Sequence, residues 1–163
     1  MTTVSDIMTR GVRAMAQSDS VVLAAQAMDE LNVGAIPVCD GDKLVGMVTD
    51  RDIVVRGVAQ ECDNKSTRLA DVMSRNLRYA RESERVEDVL GAMARAQIRR
   101  VPVVDAQQRL VGMLSLGDVA DKDAQDQDKV AASLGGISFP AQPDRSRQSR
   151  ASGAAGGGQT RTK

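Results

Sequence analysis

The chain has no histidine anywhere, no tryptophan, and only one tyrosine and one phenylalanine among its 163 residues. Without histidine there is no Ser-His-Asp or Cys-His nucleophile system, no imidazole metal site and no ordinary neutral-pH proton shuttle. Cys39 and Cys62 stand far apart and form no CxxC, which argues against a structural zinc site. They read as reduced thiols, with a redox switch or disulfide as the minority reading. No run of about 18 apolar residues exists, so no transmembrane helix is expected. The start, MTTVSDIMTR, has none of the apolar stretch of a signal peptide, and a cytoplasmic location is the default expectation. With 22 basic and 22 acidic residues the formal charge is zero. That balance gives no reason to expect a nucleic-acid or membrane partner.

What remains is a chain whose core must be built from Val, Leu, Ile, Met and Ala, and it is written twice. Ser5-Asp6-Ile7-Met8-Thr9-Arg10 returns as Ala70-Asp71-Val72-Met73-Ser74-Arg75, an offset of 65 (71 − 6). Ile36-Pro37-Val38 returns as Val101-Pro102-Val103 at the same offset (102 − 37 = 65). Gly46-Met47-Val48-Thr49-Asp50-Arg51-Asp52 returns as Gly112-Met113-Leu114-Ser115-Leu116-Gly117-Asp118, now at 66 (112 − 46). The extra residue falls in a turn, where Asp40-Gly41-Asp42-Lys43 becomes Asp105-Ala106-Gln107-Gln108-Arg109. A duplicated folding unit tolerates an insertion there because the flanking register is kept.

Each unit reads as strand, helix, strand, strand, helix. Val21, Ala24, Met28 and Leu31 lie at helical spacing, as do Val86, Val89, Leu90 and Met93. Ser18-Asp19-Ser20 and Ser83 are capping candidates. Apolar runs follow at Ile36–Cys39 and Leu44–Val48, and at Val101–Asp105 and Leu110–Leu114. Short first strands are expected around Ala14-Met15 and Tyr79-Ala80. A unit of about 60 residues buries too little surface to be secure alone. The expected fold is therefore α+β, two repeats packed with pseudo-twofold symmetry around one shared interior. The limits are 1–60 for repeat 1, 61–68 for a polar linker and 69–123 for repeat 2. Residues 124–163 read as a Gly/Ser/Arg-rich tail, largely disordered and clearest from 137 onward.

Thr49-x-x-Asp52 and Ser115-x-x-Asp118 fit capping boxes at strand-to-helix turns. The same pair can do more. A hydroxyl with a carboxylate three residues on suits the vicinal hydroxyls of a ribose, and a helix start attracts phosphate. Capping and binding are compatible.

Taken together, the paired D-[IV]-M-[ST] openings, the two Pro-centred strands and the twice-written G-h-h-[ST]-x-x-D (h apolar) resemble a tandem pair of cystathionine-β-synthase (CBS) domains over about residues 4–122. TDRDIVVRG is similar to the small stand-alone bacterial CBS-pair proteins, including the hypoxic response type. The resemblance implies adenine-nucleotide clefts between the repeats, for AMP, ADP, ATP or S-adenosylmethionine, with no cofactor required. By position, Asp52 and Asp118 would hold ribose hydroxyls, and Thr49 and Ser115 ribose or phosphate. Ala14, Met15, Tyr79 and Ala80, with Ile36 and Val101, would wall the adenine, and Arg99 and Arg100 would meet phosphate. Gly34 and Ala35 replace those arginines in repeat 1, so only one cleft is expected to carry phosphate-binding charge. The family further implies a homodimer and a regulated protein of unknown identity. The competing reading is a non-enzymatic stress or scaffold protein that works through its dimer surface or tail without a nucleotide. An enzyme is not expected, since no nucleophile–base pair is visible.

Overall fold

The computed structural model describes residues 1–122 and Ala131. The expected tail, 124–163, lies outside the described residues apart from Ala131. Six helices and six strands alternate through the described chain: α1 (Val4–Ile7), β1 (Met15–Ala16), α2 (Val21–Leu31), β2 (Ala35–Asp40), β3 (Lys43–Thr49), α3 (Asp50–Asp52), α4 (Leu69–Val72), β4 (Ala80–Arg81), α5 (Val86–Ala96), β5 (Arg100–Val104), β6 (Leu110–Ser115) and α6 (Leu116–Lys122). A π-turn over Ile53–Gly57 and a 3₁₀ turn over Val58–Gln60 extend α3. The fold is α+β, as the pattern predicts.

Two three-stranded sheets form, ordered β1-β2-β3 and β4-β5-β6. In each, the first strand runs parallel to the second across a helix, and the third returns antiparallel. The registers match at the repeat offset: Ile36 faces Val48 and Val101 faces Leu114. The short first strands start one residue later than expected. Helix α2 buries Val21, Ala24, Ala27 and Met28 on one face, and the Ser20 hydroxyl accepts from the Leu23 N–H at 3.3 Å. Helix α5 buries Val86, Val89, Leu90 and Met93, but Ser83 is not its cap; Arg85 occupies that position and makes no side-chain cap bond. Both helices end on a left-handed residue, Asn32 at φ 51° and Gln97 at φ 54°.

The single interior expected from size is divided in two, and each half is built by both repeats. Val4, Ile7 and Met8 pack with Ala80, Leu90, Leu114 and Val119 of the second repeat. Leu69, Val72 and Met73 pack with Val21, Ala24, Ile36 and Val48 of the first. The one-turn helices α1 and α4 are thus exchanged. Each is sealed by a backbone pair: Thr9 N to Met113 O and Met113 N to Thr9 O, both 2.9 Å, and Met47 N to Ser74 O at 3.1 Å with Ser74 N to Met47 O at 2.8 Å. Cationic side chains fasten the helix ends. Lys122 Nζ donates to Ile7 O at 2.9 Å, and Arg56 donates to Val72 O at 2.9 Å and Met73 O at 3.2 Å. These carbonyls have no intrahelical partner, and the basic groups also complement the helix dipole. A smaller cluster of Cys39, Leu44 and Val104 joins the two sheets where Leu110 N donates to Asp42 O at 2.9 Å.

Candidate functional site

The exchange leaves a cleft on either side of the junction, each walled by both repeats. One is lined by Thr9, Val12 and Arg13 after α1, by Val33, Ala35, Ile36 and Pro37 around β2, and by Met113, Ser115 and Asp118 of the second repeat; it encloses ≈ 400 Å³. The other is lined by Ser74, Asn76, Leu77 and Arg78 after α4, by Ile98, Arg99, Arg100 and Pro102 around β5, and by Met47, Thr49 and Asp50 of the first; it encloses ≈ 730 Å³. Thr9 matches Ser74, Arg13 matches Arg78, Val33 matches Ile98 and Pro37 matches Pro102, all at offset 65.

The twice-written phrase builds a rim on each. Its glycines allow close approach. A Cβ on Gly46 would sit 2.6 Å from Met73 Sδ, and one on Gly112 2.6 Å from the Thr9 carbonyl. Its last four residues form reciprocal caps. Thr49 N and Oγ1 donate to Asp52 Oδ2 at 3.0 and 2.8 Å, and Asp52 N returns a bond to Thr49 Oγ1 at 3.1 Å. Ser115 N and Oγ donate to Asp118 Oδ2 at 2.8 and 2.6 Å, with Asp118 N to Ser115 Oγ at 3.1 Å. One carboxylate oxygen of each aspartate is therefore spent on the cap, and the other meets Thr9 of an exchanged segment at Asp118 but Arg56 of its own repeat at Asp52. Asp118 Oδ1 accepts from Thr9 Oγ1 at 2.8 Å, and Asp52 Oδ1 lies 3.6 Å from Arg56 Nη1.

Of the residues singled out in the sequence, Ser115, Asp118 and Ile36 share the smaller cleft, and Thr49 and Arg99 the larger. Arg100 lines both, so the second cleft is not without a basic group as the Gly34-Ala35 substitution implies; Arg13 adds another. Asp52 lies behind its cap and is not on the larger cleft's wall. Ala14, Met15 and Ala80 line neither cleft, and Met15 and Ala80 are core residues. Tyr79 and Val101 line a separate hollow of ≈ 260 Å³ beside α5. The walls assigned to Ala14-Met15 and Tyr79-Ala80 are instead formed just upstream, by Gly11–Arg13 and Asn76–Arg78. The first strands are only two residues long, and each turns one side chain, Met15 or Ala80, into its core while the next, Ala16 or Arg81, faces outward. The repeat carried the signal for the missed residues, since Thr9 and Ser74 close the duplicated D-[IV]-M-[ST] openings.

Among the described residues no group of His, Cys, Asp and Glu could hold a metal ion. Cys39 is buried, and burial, with the nearby Asp42 charge, pushes its thiol up; Cys62 is exposed. Both are free thiols. No helix of the described residues is long and apolar enough to cross a membrane.

The CBS domain family model matches residues 4–57 and 69–124. This chain belongs to the CBS domain family. Hypoxic response protein 1 of Mycobacterium tuberculosis is 38% identical over 121 residues, covering 74% of this chain and 84% of that protein. Its crystal structure, with two coordinated zinc ions, aligns at a TM-score of 0.68 over 74% of this chain and 98% of that chain. CBSX2 in complex with AMP aligns at 0.66 with 30% identity, over 74% of this chain and 95% of the other. The CBS domain pair of the protein MJ0100, in complex with 5′-methylthioadenosine and S-adenosyl-L-methionine, aligns at 0.63 with 32% identity, over 74% and 94%.

Proposed function

We propose that this CBS pair is a ligand-sensing regulatory module, not an enzyme, and that its two clefts take adenine nucleotides. The observation that carries the reading is the matched pair of clefts, each edged by a hydroxyl–carboxylate cap. AMP in one relative and S-adenosylmethionine in another support the ligand class. In this reading a ribose in the smaller cleft donates its vicinal hydroxyls to the Asp118 carboxylate, Thr49 and Ser115 contact the sugar or its phosphate, and Asp52, set back from the larger cleft's wall, orients Thr49 through their cap.

The switching mechanism follows from what those oxygens already hold. A ribose at Asp118 Oδ1 competes with the Thr9 hydroxyl, and Thr9 belongs to the exchanged segment. In the larger cleft the contact is with Thr49, whose cap partner Asp52 is tied to Arg56, the side chain that fastens the end of α4. A nucleotide thereby favours one arrangement of the exchanged segments over another, and it shifts the equilibrium by its differential affinity for the two. A homodimer then passes the change to a regulated protein. A micromolar ligand releases roughly −8 kcal/mol, ample for a bias of a few.

A second reading is favoured by one feature. Val54, Val55 and Val58 are 56%, 43% and 54% exposed on the turn after α3. That apolar surface would suit a scaffold role in which the caps are only caps. Isothermal titration with AMP, ATP and S-adenosylmethionine separates the two. The nucleotide reading predicts saturable binding that drops at least about tenfold in Asp118→Ala, beside a stability loss of about 1 kcal/mol from the lost cap. The scaffold reading predicts the same stability loss with no binding in either protein.

A further inference from the structure

The two clefts match in position but differ in size and charge. The larger has ≈ 730 Å³ against ≈ 400 Å³. Arg78, Arg99 and Arg100 converge on it, and none of their side chains is in an ion pair with a described residue. Among the described residues Asp50 is the one acid on this wall, so the lining carries a net positive charge. Asp50 Oδ1 accepts from the Arg51 N–H at 2.7 Å, and Asp52 faces Arg56 at 3.6 Å. The smaller cleft presents Arg13 and Arg100. Arg13 is already paired with Glu30 at 3.1 Å, and Asp118 offsets what is left. Gly34 and Ala35 stand where the second repeat has Arg99 and Arg100.

Three unpaired guanidinium groups on one concave wall repel one another and stabilise nothing in the fold. Their forked donors fit phosphate oxygens, and a net positive wall focuses an attractive potential on an anion. We infer that the larger cleft selects its nucleotide by phosphate number, seating a di- or triphosphate on Arg78, Arg99 and Arg100, whereas the smaller cleft takes an adenosine derivative whose 5′ group carries little negative charge. This rests on the nucleotide reading and assigns each cleft its own ligand class. Arg100 lines both clefts, so a polyphosphate that draws it into the larger one withdraws it from the smaller. Filling the larger cleft thus makes the smaller still less receptive to anionic ligands.

The test is calorimetric titration of the full chain with adenosine, AMP, ADP, ATP and inorganic tripolyphosphate. Affinity at one site rises with each phosphate, by about tenfold or more between adenosine and ATP. Tripolyphosphate displaces ATP from that site and leaves adenosine bound at the other. The double variant Arg78→Gln, Arg99→Gln, both on the larger cleft's wall and absent from the smaller's, loses at least about tenfold in ATP affinity, with adenosine changed less than about twofold. A salt series on the unaltered chain needs no variant to fold. Screening between about 50 and 300 mM weakens ATP more than adenosine. Equal affinity for adenosine, AMP and ATP, indifferent to salt, overturns the inference and leaves nucleotide binding standing. No binding of any nucleoside or nucleotide overturns the proposed function itself, and this inference with it.

Discussion

The glycines of the repeated phrase have one role and two different neighbours. Alanine at Gly112 would drive its Cβ into the backbone carbonyl of Thr9, which is held in a bridge to Met113. Alanine at Gly46 meets the end of Met73, a side chain with three soft torsions. Overpacking costs about 1–3 kcal/mol, more where the obstacle is backbone. Gly112→Ala is therefore expected to lose about 2–3 kcal/mol in urea denaturation, and Gly46→Ala about 1 kcal/mol. Asp105 shows a second residue-scale effect. It is 7% exposed. Burial raises its carboxyl, but the Arg109 N–H, the Arg109 side chain at 2.6 Å and the Gln107 N–H outweigh that and hold it below the usual carboxylate range. A lowered carboxyl stabilises the fold above its unfolded pKa of about 4 and ceases to as pH falls through the folded value. The stability gap between the native chain and Asp105→Asn is thus constant above about pH 4 and shrinks on further acidification, measured by denaturation at a series of pH values.

Helix ends were only partly written in the sequence. Ser20 reads as a cap and is one, because a short hydroxyl before an apolar period has few other uses. Ser83 reads the same way and is not. The turn before α5 is organised by Glu84, whose carboxylate accepts the Arg81 N–H at 2.8 Å, matching Asp19 on the Ala16 N–H at 2.9 Å. The left-handed ends at Asn32 and Gln97 were not legible either, since neither is glycine. Asn tolerates that conformation and Gln less so. Gln97→Gly is expected to raise stability by about 0.5–1 kcal/mol, read as an increase in the thermal midpoint. The exchange of α1 and α4 is the largest feature that the sequence left open. Ser5–Arg10 and Ala70–Arg75 are recognisable as copies, but nothing in a copied word states which repeat it packs against. That is settled in space, by Val4 and Ile7 in one core and Leu69 and Val72 in the other.

At the scale of the whole molecule, duplication was legible and its consequence for the site was not fully so. A 65-residue offset announces two equivalent clefts, and both capped aspartates sit where the strand ends predict. Ala14, Met15 and Ala80 line neither cleft, because a two-residue strand leaves little alternation from which to read its facing. Arg100 lines both clefts, which no linear spacing can express. In the proposed complex a nucleotide lies against the exchanged segments and the capped Thr49 or Ser115 turns. Backbone-amide NMR of the 17.3 kDa chain titrated with AMP tests it most directly. Saturating shifts are expected in matched sets, Gly11–Arg13 with Ser115–Asp118, or Asn76–Arg78 with Thr49–Asp52, together with Thr9 or Ser74. An unchanged spectrum, or shifts gathered around Val54, Val55 and Val58, would contradict it.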